Sequence, residues 1–248
     1  MQPRPAATLA LLRDAREGLE VLMLQRTHKA VFMPGFYVFP GGAVDRADSD
    51  PALMPHLGGI DEAAANSLLN LEAGGLGYLV AAIRECFEEA GVLLARPGDA
   101  DWPEPHHPVL ADDRDAVMNG ELDWLTLCRR HDLRVPLETL GYFDHWVTPP
   151  GPPRRFDTRF FVAEAPPFQQ PRHDGQETID HCWVNPRLAL DYHGGGKRQF
   201  ATPTLSVLRR LGQFDSVTAV LEYASVHSPR RMAPLSEEDA AERFVSQS

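Results

Sequence analysis

Two apolar, β-prone runs, residues 6–13 and 19–26, flank the polar stretch Asp14-Ala15-Arg16-Glu17-Gly18, a pattern that predicts a β-hairpin. A further short strand is expected around Phe36 to Phe39, broken by Pro40-Gly41-Gly42. Residues 61–71 are rich in Ala and Leu and read as a helix, and Gly74, Gly75 and Gly77 separate it from the next one. That next helix spans residues 78–92. At about 100° per residue, Val80, Ile83, Phe87 and Ala90 fall on one face of it. Farther on, residues 96–110 read as an irregular, proline-punctuated loop, and 111–119 and 122–131 as short helices. Residues 139–147, 155–164 and 177–184 read as strands, the first two joined by Pro149-Pro150-Gly151-Pro152-Pro153. Helices are expected from Pro186 to Tyr192, with proline in the first turn, and over 204–211 and 216–224.

The polar face of the 78–92 helix carries the most information. Glu85, Glu88 and Glu89 stand at i, i+3 and i+4, spacings that make their carboxylates neighbours. Gly91 is a natural helix stop, so Glu88 and Glu89 sit in the last turn, the unfavourable end of the helix dipole for negative charge. An ordinary solvated face would gain a few tenths of a kcal/mol from Arg84 pairing with Glu88, which does not explain three crowded carboxylates. A bound cation does. An oxygen-only ligand set points to a hard ion, Mg²⁺, with Mn²⁺ as its substitute.

The stretch Arg84-Glu85-Cys86-Phe87-Glu88-Glu89-Ala90-Gly91-Val92 matches every fixed position in the second half of the Nudix box, and Phe39-Pro40-Gly41-Gly42 resembles its glycine-rich start. The chain therefore resembles the Nudix hydrolases. The box is interrupted: about 28 residues are inserted between Asp48, which takes the place of the first box glutamate, and the acidic helix. An interrupted box of this kind resembles the branch that includes the peroxisomal coenzyme A diphosphatase. So do Phe32-Met33-Pro34-Gly35, His145-Trp146-Val147-Thr148-Pro149, the segment from Arg154 to Phe161, Asp174-Gly175-Gln176-Glu177 and Pro203-Thr204-Leu205. In the related coenzyme A signature, Arg26-Thr27, Gly35 and Phe39-Pro40-Gly41-Gly42 keep the frame, while Val31 stands where a second arginine is expected.

The resemblance implies an α/β fold: an α/β/α sandwich with a mixed sheet, an insertion at about 49–76, and a C-terminal helical extension over about 201–248, all in one domain spanning 1–248. It implies Glu88 and Glu89 as principal metal ligands, Glu85 as ligand or base, and Arg84 as the ion-pair partner that orients them. Glu177, just ahead of the last strand, is a further candidate metal ligand or base. Gly41 and Gly42 are expected to allow close backbone approach, and Arg26, Arg155 and Arg159 to meet substrate phosphates. The insertion interrupts the active-site loop and is expected to cap the substrate side.

With 43% hydrophobic residues in 248, one large core is expected. The net charge of −11 argues against nucleic acid or an anionic membrane as a partner, but not against a phosphate-bearing substrate, since a metal reverses the local sign. Cys86, Cys128 and Cys182 lack any Cys-x-x-Cys spacing, His106-His107 are adjacent and rarely face one metal, and no signal-peptide core or Ser-Lys-Leu ending is present. A cytoplasmic protein is expected, with a small nucleoside diphosphate derivative as its partner and a homodimer allowed. Coenzyme A is the favoured substrate; ADP-ribose, a dinucleotide, or a silent nucleotide sensor stay open.

Overall fold

The computed structural model describes residues 2–31, 33–98, 100–101, 113–152 and 154–234. Phe32, Trp102, the His106-His107 pair, most of the proline-rich loop and residues 235–248 lie outside them.

A mixed sheet forms the middle layer. Its strands β1 (Arg4–Ala15) and β2 (Gly18–Arg26) form the expected hairpin, with Leu12 opposite Val21. With β8 (Gly141–Val147), β9 (Phe156–Glu164), β10 (Thr178–Val184) and the short β11 (Arg231–Met232), the order across the sheet is β10-β2-β1-β9-β8-β11, while β5 (Leu57–Gly58), β6 (Arg96–Pro97) and β7 (Leu133–Pro136) make a small separate sheet in the order β5-β7-β6. β1 and β9 run parallel over nine residue pairs; β8 and β9 are antiparallel. Two short strands attach to the hairpin: β3 (Tyr37–Val38) pairs with β2, and β4 (Gly41–Ala43) pairs with β1 at Ala6 to Thr8. The glycines expected to break the chain at 41–42 thus lie inside a strand. A side chain at Gly41 would meet the β1 backbone, its Cβ only 2.5 Å from the Ala7 carbonyl oxygen, so glycine is what lets the two strands pair there.

Each face of the sheet buries its own apolar cluster. Leu9, Leu11, Leu22 and Leu24 pack on one side against α2 (Gly75–Ala90). Ala10, Leu12, Val21 and Met23, the alternate residues, pack on the other side among Ala189, Leu208 and Val220 of the C-terminal helices Pro186–Gly194, Thr202–Leu211 and Val217–Val226. This alternation is the period-2 pattern of strands covered on both faces.

α2 departs from a simple amphipathic helix. Apart from Glu85 and Glu88, every residue in it is buried, Arg84 and Glu89 included. Its C-cap, Gly91, adopts φ +67°, a left-handed conformation that suits glycine. The inserted segment contains α1 (Glu62–Leu69), which docks at the other end of α2. There the Glu62 carboxylate accepts from Gly74 N–H at 2.6 Å, and Asn66 Oδ1 accepts from Gly75 N–H at 2.8 Å. Among the described residues no helix is long and apolar enough to cross a membrane.

Candidate active site

One cavity of about 690 Å³ opens where β4 lies between the end of the hairpin and α2. Of the candidates named from the sequence, Arg26, Gly41, Gly42, Glu85, Glu89 and Glu177 line it. Gly42 owes its identity to this geometry: a Cβ there would lie 2.6 Å from the Glu85 carboxylate, so only glycine leaves room for that carboxylate beside the strand. On the other side of the same turn, Gly41 N–H donates to Glu89 Oε2 at 3.0 Å. The strand that pairs with β1 therefore also holds Glu89 and leaves room for Glu85.

Arg84 is the hub beneath them. Its Nε and Nη2 bind the two oxygens of Asp48 at 2.7 and 3.0 Å, and its Nη1 reaches Glu85 at 2.9 Å and Glu88 at 3.2 Å. Burial alone would lower the Arg84 pKa, but the hydrogen bonds to Asp48 and the charges of Glu85, Asp48 and Glu88 outweigh it and hold the guanidinium protonated. Asp48 in turn accepts from Asp45 N–H at 2.8 Å. The expected orienting role of Arg84 thus has a concrete form, a fork on Asp48 that presents its remaining edge to two helix carboxylates.

The glutamates carry an electrostatic burden. Burial, followed by repulsion from Glu88 against a partial offset from Arg84, raises Glu85 to about 7. Glu89 is pushed well above its usual value, first by burial, then by Glu85 and Glu177, with only the Gly41 hydrogen bond and Arg26 opposing. Glu88 is raised as well, by burial, yet it faces Arg84, Asp48 and Asp45 instead of the cavity. Of the expected metal ligands, Glu85 and Glu89 line the cavity together with Glu177, while Glu88 lies on the Arg84 side and outside the lining.

Two arginine expectations are also revised. Arg155 Nε is held by the Thr148 and Pro149 carbonyls, both at 3.1 Å, and lies outside the cavity lining. Arg159 alternates to the opposite face of β9, where it is buried, pairs with Asp157 at 3.2 Å and sits 4.3 Å over the Tyr78 ring. The arginines that do line the cavity, besides Arg26, are Arg4 and Arg154. Strand alternation was the available signal: Arg154 shares its parity with Phe156, Thr158 and Phe160, which all line the cavity. The insertion does not cap the substrate side, since no residue from 49–76 lines the cavity.

Two further residues have roles that the sequence reading did not give them. Arg114 is almost fully buried and donates to the Phe87 and Glu88 carbonyls at the C-terminal end of α2. It supplies the positive charge that this end of the helix lacks in sequence. Its neighbours Asp113 and Asp115 make it look like part of a solvated charged run. Asp174 accepts from the N–H groups of Gln176 and Glu177, both at 2.6 Å, and so shapes the Glu177 loop; its Asp-Gly step was a readable turn signal.

Among the described residues, no three His, Cys, Asp or Glu side chains converge as a finished coordination sphere. Glu85 turns to Arg84 and Glu89 to Gly41 N–H. The chemistry of the donor set nevertheless fits a hard divalent cation: oxygen donors only, mutually repelling, and shifted toward the protonated form first by desolvation.

The fold belongs to a known class. The NUDT19 Nudix domain family matches residues 61–211, and the chain belongs to that family. It is 34% identical over 239 residues to the acyl-coenzyme A diphosphatase NUDT19 of Homo sapiens and 29% identical over 246 residues to that of Gallus gallus. These alignments cover 82% and 83% of this chain but 63% and 64% of the relatives, so the chain spans less than two thirds of their length. A solved Nudix hydrolase from Alicyclobacillus acidocaldarius superposes with a TM-score of 0.70 at 30% identity, covering 90% of this chain and 96% of that one.

Proposed function

We infer that the chain is a divalent-metal-dependent diphosphatase that cleaves the diphosphate of coenzyme A or an acyl-coenzyme A, giving 3′,5′-ADP and (acyl-)4′-phosphopantetheine. The observation that carries this reading is the grouping of Glu85, Glu89 and Glu177 with Arg26 on one cavity, where desolvation and mutual repulsion raise the pKa of Glu85 and Glu89. Glu85, Glu89 and Glu177 would hold Mg²⁺ or Mn²⁺. When bound, the ion screens the diphosphate and lowers the pKa of a water.

The chain's own groups divide the remaining work. The proton of the attacking water would go to Glu85 or Glu177, whichever is left out of the metal's ligand set. Arg84 holds Glu85 in place from below and touches no substrate. Arg26, Arg4 and Arg154 meet phosphate oxygens. Trp146, Phe156 and Phe200 give the cavity an apolar wall suited to the non-phosphate part of the substrate and to excluding bulk water. The names of the human and chicken relatives favour coenzyme A over ADP-ribose or a dinucleotide. A second copy of the chain, allowed as a partner, enters no step.

Coenzyme A carries a 3′-phosphate that 3′-dephospho-coenzyme A and ADP-ribose lack. A charge-assisted contact to it is worth about 1.5–3 kcal/mol, so kcat/KM should favour coenzyme A by roughly tenfold or more. Equal values for coenzyme A and its 3′-dephospho form, or faster cleavage of ADP-ribose, would move the chain to the general nucleoside-diphosphate reading.

A further inference from the structure

Glu177 comes from a loop far from α2 in sequence, yet it shares a cavity with Glu85 and Glu89 and contributes to the raised Glu89 pKa. Something must fix the separation between the loop and the helix. Three contacts join them. Arg172 N–H donates to the Ala90 carbonyl at 2.8 Å. The Gln169 side chain exchanges two hydrogen bonds with the Leu93 backbone, at 2.8 and 3.1 Å. Between these, the Arg114 guanidinium donates to Glu88 O at 2.9 Å and to Arg172 O at 2.6 Å through the same Nη2. Arg114 Nε also reaches Phe87 O at 3.1 Å. The contact depends on Gly91, where a Cβ would lie 2.8 Å from Arg114 Nη1.

From Arg172 the constraint passes on to Glu177. Asp174 Oδ1 accepts from Gln176 and Glu177 N–H, and Oδ2 from Thr178 N–H at 3.1 Å and the Thr178 hydroxyl. These bonds outweigh the effect of burial and hold the Asp174 carboxyl below its usual range. The Glu177 carbonyl is pinned by Thr27 N–H at 2.9 Å, directly beside Arg26. Neither Arg114 nor Asp174 lines the cavity.

We propose that Arg114 and Asp174 form a tether that positions Glu177 against Glu85 and Glu89, making both of them positioning residues for the metal-dependent reaction. The proposal rests on the reading that Glu177 acts in that site. A buried guanidinium bonded to the ends of both elements transmits the helix position to the loop, and the Asp174 turn transmits the loop position to the Glu177 side chain. Lysine at 114 keeps the charge but has one nitrogen on a flexible stem in place of the planar group, whose Nε holds Phe87 O while its Nη2 holds Glu88 O and Arg172 O.

The test measures Mn²⁺ affinity of the substrate-free protein, by electron paramagnetic resonance of the free ion, together with kcat and KM for coenzyme A. Supporting groups of this kind typically account for roughly 10–100-fold in metal affinity or activity. Arg114→Lys and Asp174→Asn should each lose about that much in Mn²⁺ affinity and kcat with KM unchanged. In a Glu177→Gln background neither should cost anything further, because the group they position is already gone. Asp174 lies in a half-buried surface loop, so Asp174→Asn carries the test even if Arg114→Lys fails to fold. Equal losses with and without Glu177 would mean that the residues merely stabilise α2, and the tether would be overturned. Wild-type values for Asp174→Asn alongside an impaired Glu177→Gln would overturn the tether alone. If Glu177→Gln itself binds Mn²⁺ and turns over normally, the role of Glu177 fails and the tether with it.

Discussion

Glu85, Glu88 and Glu89 share one helix but not one environment. Glu85 and Glu89 border the cavity, while Glu88 stays with Arg84 on its far side. Glu85→Gln and Glu89→Gln should therefore abolish most Mg²⁺-dependent turnover, and Glu88→Gln should cost distinctly less; a steady-state comparison of the three, with Glu88→Gln the most damaged, would contradict the grouping. The raised pKa values make a second prediction. The folded chain binds the Glu85 proton more tightly than the unfolded chain, so this contribution to stability is complete below 4.5 and is lost as pH rises through about 7. Glu88 and Glu89 shift in the same direction. Metal-free protein should lose Tm across that window, and Mg²⁺ should restore more of it at about pH 8 than at about pH 5, as binding to the folded state requires. A thermal-shift series in which Mg²⁺ stabilises equally at both would argue against a carboxylate site. The acidic spacing around Gly91 was legible because helix periodicity is local. That Glu88 points away was not, because it depends on Asp48 reaching Arg84 across 36 positions of chain.

At the scale of elements, α2 and the strands around it followed from pattern, and the inserted segment did not. The hairpin, β9 and the C-terminal helices declared themselves through alternation and helical spacing. β4 was hidden, since Gly41-Gly42 reads as a break unless the partner strand β1 is known. The insertion was expected over the substrate because it interrupts the box, but α1 instead supplies acceptors to the first amides of α2. Its effect should follow from that. Glu62→Ala removes the acceptor for Gly74 and Leu76 N–H, and loss of such a cap typically costs about 0.5–2 kcal/mol. Thermal unfolding of Glu62→Ala should show a lowered Tm with KM for coenzyme A unchanged. A raised KM at unchanged Tm would return the insertion to the substrate side.

Across the whole molecule, the two apolar clusters are separated by one sheet, and the cavity draws on both ends of the described chain, from Arg4 to Pro234. We propose that the chain folds as a single unit on this account. The general architecture was readable from alternating strands and helices together with the Nudix box. Of the arginines that face the cavity, Arg26 was readable from its motif; Arg4 and Arg154 were not, because alternation gives two faces and only the assembled sheet decides which one borders the cavity. Cleavage of a diphosphate in this cavity, with the help of a divalent cation, is the activity proposed for the chain. It is tested most directly by incubating the purified chain with coenzyme A, with and without Mg²⁺, and identifying the products by mass spectrometry. The expected result is 3′,5′-ADP and 4′-phosphopantetheine in equal amounts with Mg²⁺ and neither in its absence. Intact coenzyme A under both conditions, or products that form equally without the metal, would contradict it.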